Sequence, residues 1–230
     1  MPRLYIKQLS CYLSLFACLL ALQVRADVFE HPVVDSSKAP ALEAVVSRLA
    51  AATLVRSQFR QAKTMRILQR PLVSQGLMIY QQDLGLYWQV STPFPSVLMI
   101  NNQRIVQRNG DEVVTITAAD NPAVFGFAQV FFQLLSSDVD KLSTQFEIYF
   151  CYCDNPINAE VSNQRQWQIG LLPRDLQLRK AISQVVLTGV EDIEIITLSD
   201  HAGDKTVIQF LQRKIGGDEL SAEELEHFAD

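Results

Sequence analysis

Short runs in which apolar and polar residues alternate one for one follow each other along most of this chain. That repeat limits the fold more than any other feature. In Leu86-Tyr87-Trp88-Gln89-Val90-Ser91, Leu86, Trp88 and Val90 share one side, and Tyr87, Gln89 and Ser91 share the other. Phe146, Ile148 and Phe150 form the apolar set of the next clear run, and Trp167, Ile169 and Leu171 that of a third. Successive side chains of a strand point to opposite faces, so a period of two predicts strands with one face buried and one wet. Further strand candidates lie at 58–68, 74–82, 96–100, 104–108, 111–117, 183–188, 192–198 and 205–212. Asn101-Asn102, Asn109-Gly110-Asp111 and Ala202-Gly203-Asp204 punctuate them as turns. Strand after strand through tight turns gives an antiparallel sheet, and about ten strands in one sheet must curl or close.

Two segments leave this rhythm. Leu42, Val45, Val46, Leu49 and Thr53 recur at helical spacing, with Glu43, Ser47 and Arg48 opposite, which predicts an amphipathic helix over about 40–54. Asp120-Asn121-Pro122 reads as a helix start, followed by a stretch to Leu135 that is apolar nearly all round and holds Phe125, Phe127, Phe131 and Phe132. A helix greasy on every side must be enclosed, which places it in or over the mouth of a curled sheet as a lid or plug. Ser221-Ala222-Glu223-Glu224 is a capping box opening a short acidic helix toward Phe228. Residues 27–40 read as irregular.

The N-terminus carries Arg3 and Lys7, an uncharged apolar run over 13–22, and Val24-Arg25-Ala26 with small residues where a signal peptidase reads. That run is too short to span a bilayer, and the pattern is that of a secretory signal cleaved after Ala26. A lipoprotein reading of Leu15-Phe16-Ala17-Cys18 is poorer, because Phe16 is bulky and the apolar run continues past Cys18. The expected organisation is therefore a signal peptide at 1–26 and a single domain at 27–230. Net charge is −5 for the whole chain, and more acidic still once three signal-peptide cations are removed. With no basic block or stripe read along the sequence, that balance argues against nucleic acid and against electrostatic docking on anionic lipid.

Catalytic groups do not assemble. Histidines stand only at His31, His201 and His227. The one within the strand region, His201, falls at a hairpin tip, which suits neither a triad nor a metal site. Cys151 and Cys153 lack the further ligands of a zinc site and the Cys-x-x-Cys spacing of a redox pair. A regular strand keeps these two thiols at or beyond disulfide reach, while a local bulge lets them pair. Glu191-Asp192 and Glu194 read as a solvated strand edge. Arg60 and Lys63, after the first helix, read as an outward face. There is no phosphate loop and no nucleophile elbow. No enzyme, metal or cofactor is expected.

The order of elements resembles LolA, the periplasmic carrier of outer-membrane lipoproteins. Phe59-Arg60-Gln61 with Lys63, Gly76-Leu77-Met78-Ile79-Tyr80, Tyr87-Trp88-Gln89-Val90-Ser91-Thr92-Pro93, Trp167-Gln168-Ile169-Gly170-Leu171-Leu172-Pro173 and Gly203-Asp204-Lys205-Thr206 carry the likeness, which covers about 40–215. Where the family usually has Arg-Pro, an arginine tied to closing the lid and handling cargo, this chain has Gln82-Asp83. A neutral amide there replaces a fixed charge with five donors, so the lipoprotein-release role does not carry over. The resemblance implies a mainly β (α+β) fold, a half-open antiparallel barrel of about eleven strands closed by helices. It also implies lipoprotein or another acylated lipid as cargo, an inner-membrane transporter as donor and an outer-membrane acceptor. The expected state is a monomer.

From these readings the expected lipid-binding face consists of Leu86, Trp88, Val90, Leu98, Ile100, Phe146, Ile148, Phe150, Trp167, Ile169 and Leu171, plugged by Phe125, Phe127, Phe131 and Phe132. An acyl chain would replace helix–sheet contacts with its own, each buried methylene contributing roughly 0.8 kcal/mol. The two competing classes are a secreted binding or inhibitory module with a fully packed barrel, and an acyl-ester enzyme with an unfamiliar centre.

Overall fold

The computed structural model describes residues 27–33, 40–120, 139–153, 165–217 and 219–228. Residues 1–26, expected to be a signal peptide, and the phenylalanine-rich stretch predicted to be a lid lie outside the described residues.

Eleven strands form a single sheet: β1 (Leu54–Thr64), β2 (Leu72–Gln81), β3 (Gly85–Thr92), β4 (Ser96–Ile100), β5 (Arg104–Asn109), β6 (Glu112–Thr117), β7 (Phe146–Cys153), β8 (Gln166–Pro173), β9 (Gln184–Gly189), β10 (Ile193–Ser199) and β11 (Lys205–Ile215). Their order across the sheet is β6-β5-β4-β3-β2-β1-β11-β10-β9-β8-β7, with every neighbouring pair antiparallel. The sheet is two meanders joined by the β1–β11 pairing, and it curls into an open half-barrel whose end strands are β6 and β7. Each strand expected from alternation is present, although the first, expected at 58–68, runs Leu54–Thr64 and leaves 65–68 to the turn.

Among the described residues four α-helices accompany the sheet: α1 (Pro40–Ala50), α2 (Val139–Gln145), α3 (Leu176–Ala181) and α4 (Ala222–Glu226). In α1, proline opens the first turn, Glu43 lies in that turn and Arg48 in the last, all in accord with the helix dipole. Its stripe Leu42, Val45 and Leu49 is buried in one cluster with Phe59, Met78, Leu86, Trp88, Phe146, Trp167 and Leu171. So α1 lies against the inner face and closes part of it. The helix ends at Ala50, short of the expected boundary, and Thr53 belongs to the bend before β1. Helices α2 and α3 were not foreseen, since elements of 7 and 6 residues are too short to show a period of their own.

Two terminal segments pack on the outer face, where the alternation predicted water. Residues 28–30, expected to be irregular, form a 3₁₀ turn capped by Asp27, whose carboxylate accepts from the Phe29 N–H at 3.1 Å. Pro32 bridges Tyr149, and the flanking bonds Val33 N–H to Ile148 O and Phe150 N–H to His31 O lay this segment along the β7 edge. That covers one of the two edges an open sheet must protect. At the other terminus, Leu220 and Phe228 pack over Leu54, Ile79 and Tyr87. Tyr87 was assigned to the wet face, yet it is 5% exposed. The residues that bury it come from the end of the chain, which strand alternation cannot reveal.

Candidate functional site

Strand phase decides what faces inward. Counting from buried Phe59, Gln61 and Lys63 share its side of β1, while Arg60 is exposed on the other. On β3 to β6 the inner set is Leu86, Trp88 and Val90, then Leu98 and Ile100, then Ile105 and Gln107, then Ile116, matched by the registers Leu86↔Ile100, Ile100↔Ile105 and Ile105↔Ile116. On β7 and β8 it is Phe146, Ile148 and Phe150 facing Leu171 and Ile169.

The inner face is divided into two regions. One is solid. Leu86, Phe146, Ile148, Trp167, Ile169 and Leu171 are buried in the core that includes α1, and Val90 and Phe150 are half-buried against it. The other is a partly open cavity of about 460 Å³, walled by Trp88, Leu98, Ile100, Ile105, Ile116 and Ile208. Leu198 adds to that wall, and Gln61, Lys63, Gln107, Ser199, Asp200, Asp204 and Thr206 complete the lining, with Ala181 and Ile182 at the end of α3. Of the residues singled out from sequence, Trp88, Leu98 and Ile100 line the cavity, eight others lie in or against the packed core, and the four phenylalanines fall outside the described residues.

Trp88 stands where the two regions meet. It stacks on Phe59 with centroids 3.8 Å apart and meets Phe210 edge-on at 6.3 Å. Lys63 was read as part of an outward face and in fact lines the cavity. Its place two and four residues from Gln61 and Phe59 on one strand was the available signal. Lys63 has no hydrogen-bond or ion-pair partner among the described residues. Asp204 accepts from the Arg66 N–H at 3.0 Å, and Asp200 accepts from the Asp204 N–H at 2.9 Å. The cavity thus combines an apolar wall with a polar rim, the usual form of a small-molecule site, and its volume falls within the usual range for one.

The far end of the barrel is locked. The Val190 carbonyl, in the β9–β10 turn, accepts from Trp167 Nε1 at 2.8 Å and from Arg48 Nη2 at 3.0 Å, tying β8, α1 and that turn together. Beside it, Arg213 Nε lies 2.7 Å from Asp192 Oδ2 and Arg213 Nη1 donates to the Ile193 carbonyl at 2.6 Å. The Asp192 side chain is only 14% exposed, which corrects its reading as a solvated edge. Burial pushes its carboxyl above the ordinary aspartate range although Arg213 pulls the other way. Burial likewise lowers Arg213 and raises Glu194. Asp192 serves an ion pair at a turn, and neither carboxylate lines the cavity.

No described histidine lines the cavity: His201 is exposed in the β10–β11 turn, His227 stacks on Tyr87 at 4.2 Å, and His31 gives its carbonyl to the β7 edge. Among the described residues no group of three His, Cys, Asp or Glu side chains is placed to hold a metal. Cys151 carries a thiol rather than a disulfide. Gln82 and Asp83 form the exposed β2–β3 turn, whose shape is set by the Gln81 side-chain oxygen accepting from the N–H groups of Asp83 and Leu84. They lie at the end of the sheet opposite the polar rim formed by Lys63, Asp200 and Asp204.

A curled antiparallel sheet holding an apolar cavity with a polar rim defines the half-barrel class of fold. The model of the outer membrane lipoprotein carrier protein LolA-like family matches residues 35–208, and the chain belongs to that family. Solved structures with similar folds include the LolA superfamily protein NE2245 from Nitrosomonas europaea, 7% identical over 82% of this chain and 97% of that one, TM-score 0.44. A putative outer membrane lipoprotein-sorting protein domain from Vibrio parahaemolyticus is 8% identical over 87% and 98%, TM-score 0.42. LprF from Mycobacterium bovis is 11% identical over 83% and 98%, TM-score 0.38. Comparison with curated proteins finds no match.

Proposed function

We propose that the protein is a periplasmic carrier that takes the acyl chains of a lipoprotein, or of another acylated lipid, into its half-barrel and moves them between membranes. The observation that carries this reading is the cavity of about 460 Å³ between the inner faces of β3–β6 and the β10–β11 end of the sheet. Trp88, Leu98, Ile100, Ile105 and Ile116 would hold the chain. A dozen methylenes at about 0.8 kcal/mol each contribute about 10 kcal/mol, enough to hold a lipid without any covalent step. In this reading the signal peptide delivers the chain to the periplasm, an inner-membrane transporter loads it and an outer-membrane acceptor unloads it. Loading is an exchange of apolar contacts and needs no catalytic residue.

A second reading, a packed binding module, has support in the solid region beneath α1, where Phe146, Trp167 and Leu171 are essentially inaccessible. One experiment separates the two. The protein is purified from the envelope of its own cells, weighed by native mass spectrometry and extracted with organic solvent. The carrier reading expects a bound acyl lipid, lost from a folded Leu98→Arg protein. An empty protein that also takes up no fatty acid or acylated peptide sinks it and promotes the packed module.

A further inference from the structure

Exposed apolar side chains are unevenly distributed between the two ends of the barrel. At the end of the sheet that carries the cavity's polar residues Lys63, Asp200 and Asp204, Ile67 is 83% exposed, Phe94 82%, Leu176 70% and Leu72 55%. Ile67 lies in the β1–β2 turn, Phe94 in the β3–β4 turn and Leu176 in α3, so three separate connections present apolar tips on one rim. Isolated exposed apolar residues are ordinary, but a set gathered beside one opening marks an interaction surface. The same rim is cationic on the β1–β2 hairpin. Between Glu43 and Asp83 the chain has six basic residues and no acidic one, within a protein of net charge −5. Three of the six, Lys63, Arg66 and Arg70, lie at or in the β1–β2 turn. Arg66 is used to anchor the turn, donating from Nη1 to the Ala202 carbonyl at 3.2 Å, and Gly203 at φ 86° makes room for it. Arg70 has no hydrogen-bond or ion-pair partner among the described residues and is exposed.

We propose that this rim docks on the surface of an anionic lipid bilayer. Apolar tips flanked by arginine and lysine are what such a surface accepts: the tips enter the headgroup–acyl boundary while the cations stay among the headgroups. The whole-chain charge that argued against such docking averages over a local excess on one hairpin, and fields of this kind act only within a Debye length. Of the acidic side chains at this end, Asp200 and Asp204 are engaged by backbone N–H groups of the neighbouring turns, Asp175 accepts from the Leu178 N–H at 2.9 Å and Glu147 lies 3.7 Å from Arg174, while the exposed Asp111 and Glu112 sit at the β5–β6 turn at the sheet margin, away from the β1–β2 hairpin. The orientation turns the cavity's polar rim toward the membrane, but the docking itself does not depend on what the cavity holds.

The test is co-sedimentation of the exported, processed protein with vesicles of phosphatidylcholine alone and of phosphatidylcholine with a quarter phosphatidylglycerol. Binding is expected only to the anionic vesicles, with release in high salt. Arg70→Gln is expected to weaken it about fivefold, and Ile67→Asp about tenfold or more. Phe94→Ser, on a separate turn, is expected to weaken it as well, whereas Ile215→Asp at the opposite end leaves it unchanged. Equal binding to both vesicles, binding to neither, or indifference to all three rim variants overturns the proposal. So does a stable dimer, seen by light scattering, that Ile67→Asp dissociates, since the rim would then serve a second copy.

Discussion

Arg56 and Glu224, 168 residues apart, meet in a two-pronged ion pair on the outer face: Nε to Oε1 at 2.6 Å and Nη2 to Oε2 at 2.8 Å. The same carboxylate accepts from the Ser221 N–H at 2.9 Å, while the Ser221 hydroxyl accepts from the Glu224 N–H at 3.1 Å, completing a capping box. One side chain therefore starts α4 and fastens it to β1. What the fastening protects is the apolar patch Leu54, Ile79 and Tyr87 beneath Leu220 and Phe228.

That double duty has a pH signature. The Arg56 hydrogen bond holds the Glu224 carboxyl at about 2, against an ordinary 4.5. A depressed carboxylate contributes stability that is complete above its unfolded value and is lost as pH falls through the folded one. Glu224→Gln is expected to cost about 1 kcal/mol at pH 7, a figure kept low because the pair is partly solvated. The difference from wild type should shrink below about pH 4.5 and vanish near pH 2. Urea unfolding of the two proteins across that window checks it. A difference that stays constant with pH would mean that the carboxylate's charge is not what holds the clasp.

Asp192 and Arg213 are a pair of a different kind, with side chains only 14% and 13% exposed. Arg213 comes within reach because β11 bulges at Gln212, which adopts φ 51° opposite the irregularity between Arg56 and Gln58. Removing one member leaves the other buried and uncompensated. Arg213→Met is expected to cost about 2–4 kcal/mol, and adding Asp192→Asn should recover much of that. A double-mutant cycle by denaturant unfolding measures it, and purely additive costs would show that the two do not stabilise each other.

These outer and end-on features explain where the sequence could and could not be read. The strands were legible because burial on one side imposes a period of two, and Trp88, Trp167 and Phe146 announce the inner face by their spacing. Helix α1 was legible for the same reason at its own period. Tyr87 was not, because its cover, Leu220 and Phe228, comes from a segment that carries no strand or core pattern. Asp192 looked like a solvated acid because its partner arrives through a bulge on the neighbouring strand. The division of the inner face into core and cavity was invisible as well: alternation places a residue on a face but does not say which helix lies above it.

Gly170 gives the N-terminal segment a sharp test. It is the outward residue of β8 between Ile169 and Leu171, and a Cβ there would lie 2.8 Å from a Phe29 ring carbon and 2.9 Å from a Val28 methyl. Val28 is 2% exposed, and Phe29 meets Tyr149 edge-on at 5.3 Å. A larger residue must therefore expel the 28–30 turn from the sheet. Gly170→Val is expected to lower stability by about 1–3 kcal/mol through overpacking and to speed amide exchange at Val33 and Phe150, whose N–H groups tie the segment to β7. Unchanged protection at both would mean that the segment holds the β7 edge without this contact.

The inner-face residues should separate by experiment as they do by position. Phe146 is wholly buried in the core cluster that includes α1, whereas Leu98 and Ile116 are half-buried and line the cavity. Phe146→Ala is expected to cost about 3–5 kcal/mol of stability, the range for emptying a buried aromatic site. If the cavity is where an acyl chain lies, Leu98→Arg and Ile116→Arg should cost far less, since each cation can reach solvent through the cavity mouth, while uptake of a fluorescent fatty acid falls tenfold or more, by about the 1.4 kcal/mol such a factor represents. Thermal unfolding and ligand titration on the same preparations give both readings. Full uptake by the two arginine variants would move the ligand away from β4 and β6. Loss of uptake only in Phe146→Ala would assign binding to the region that α1 covers, and would make displacement of that helix the step that loads the barrel.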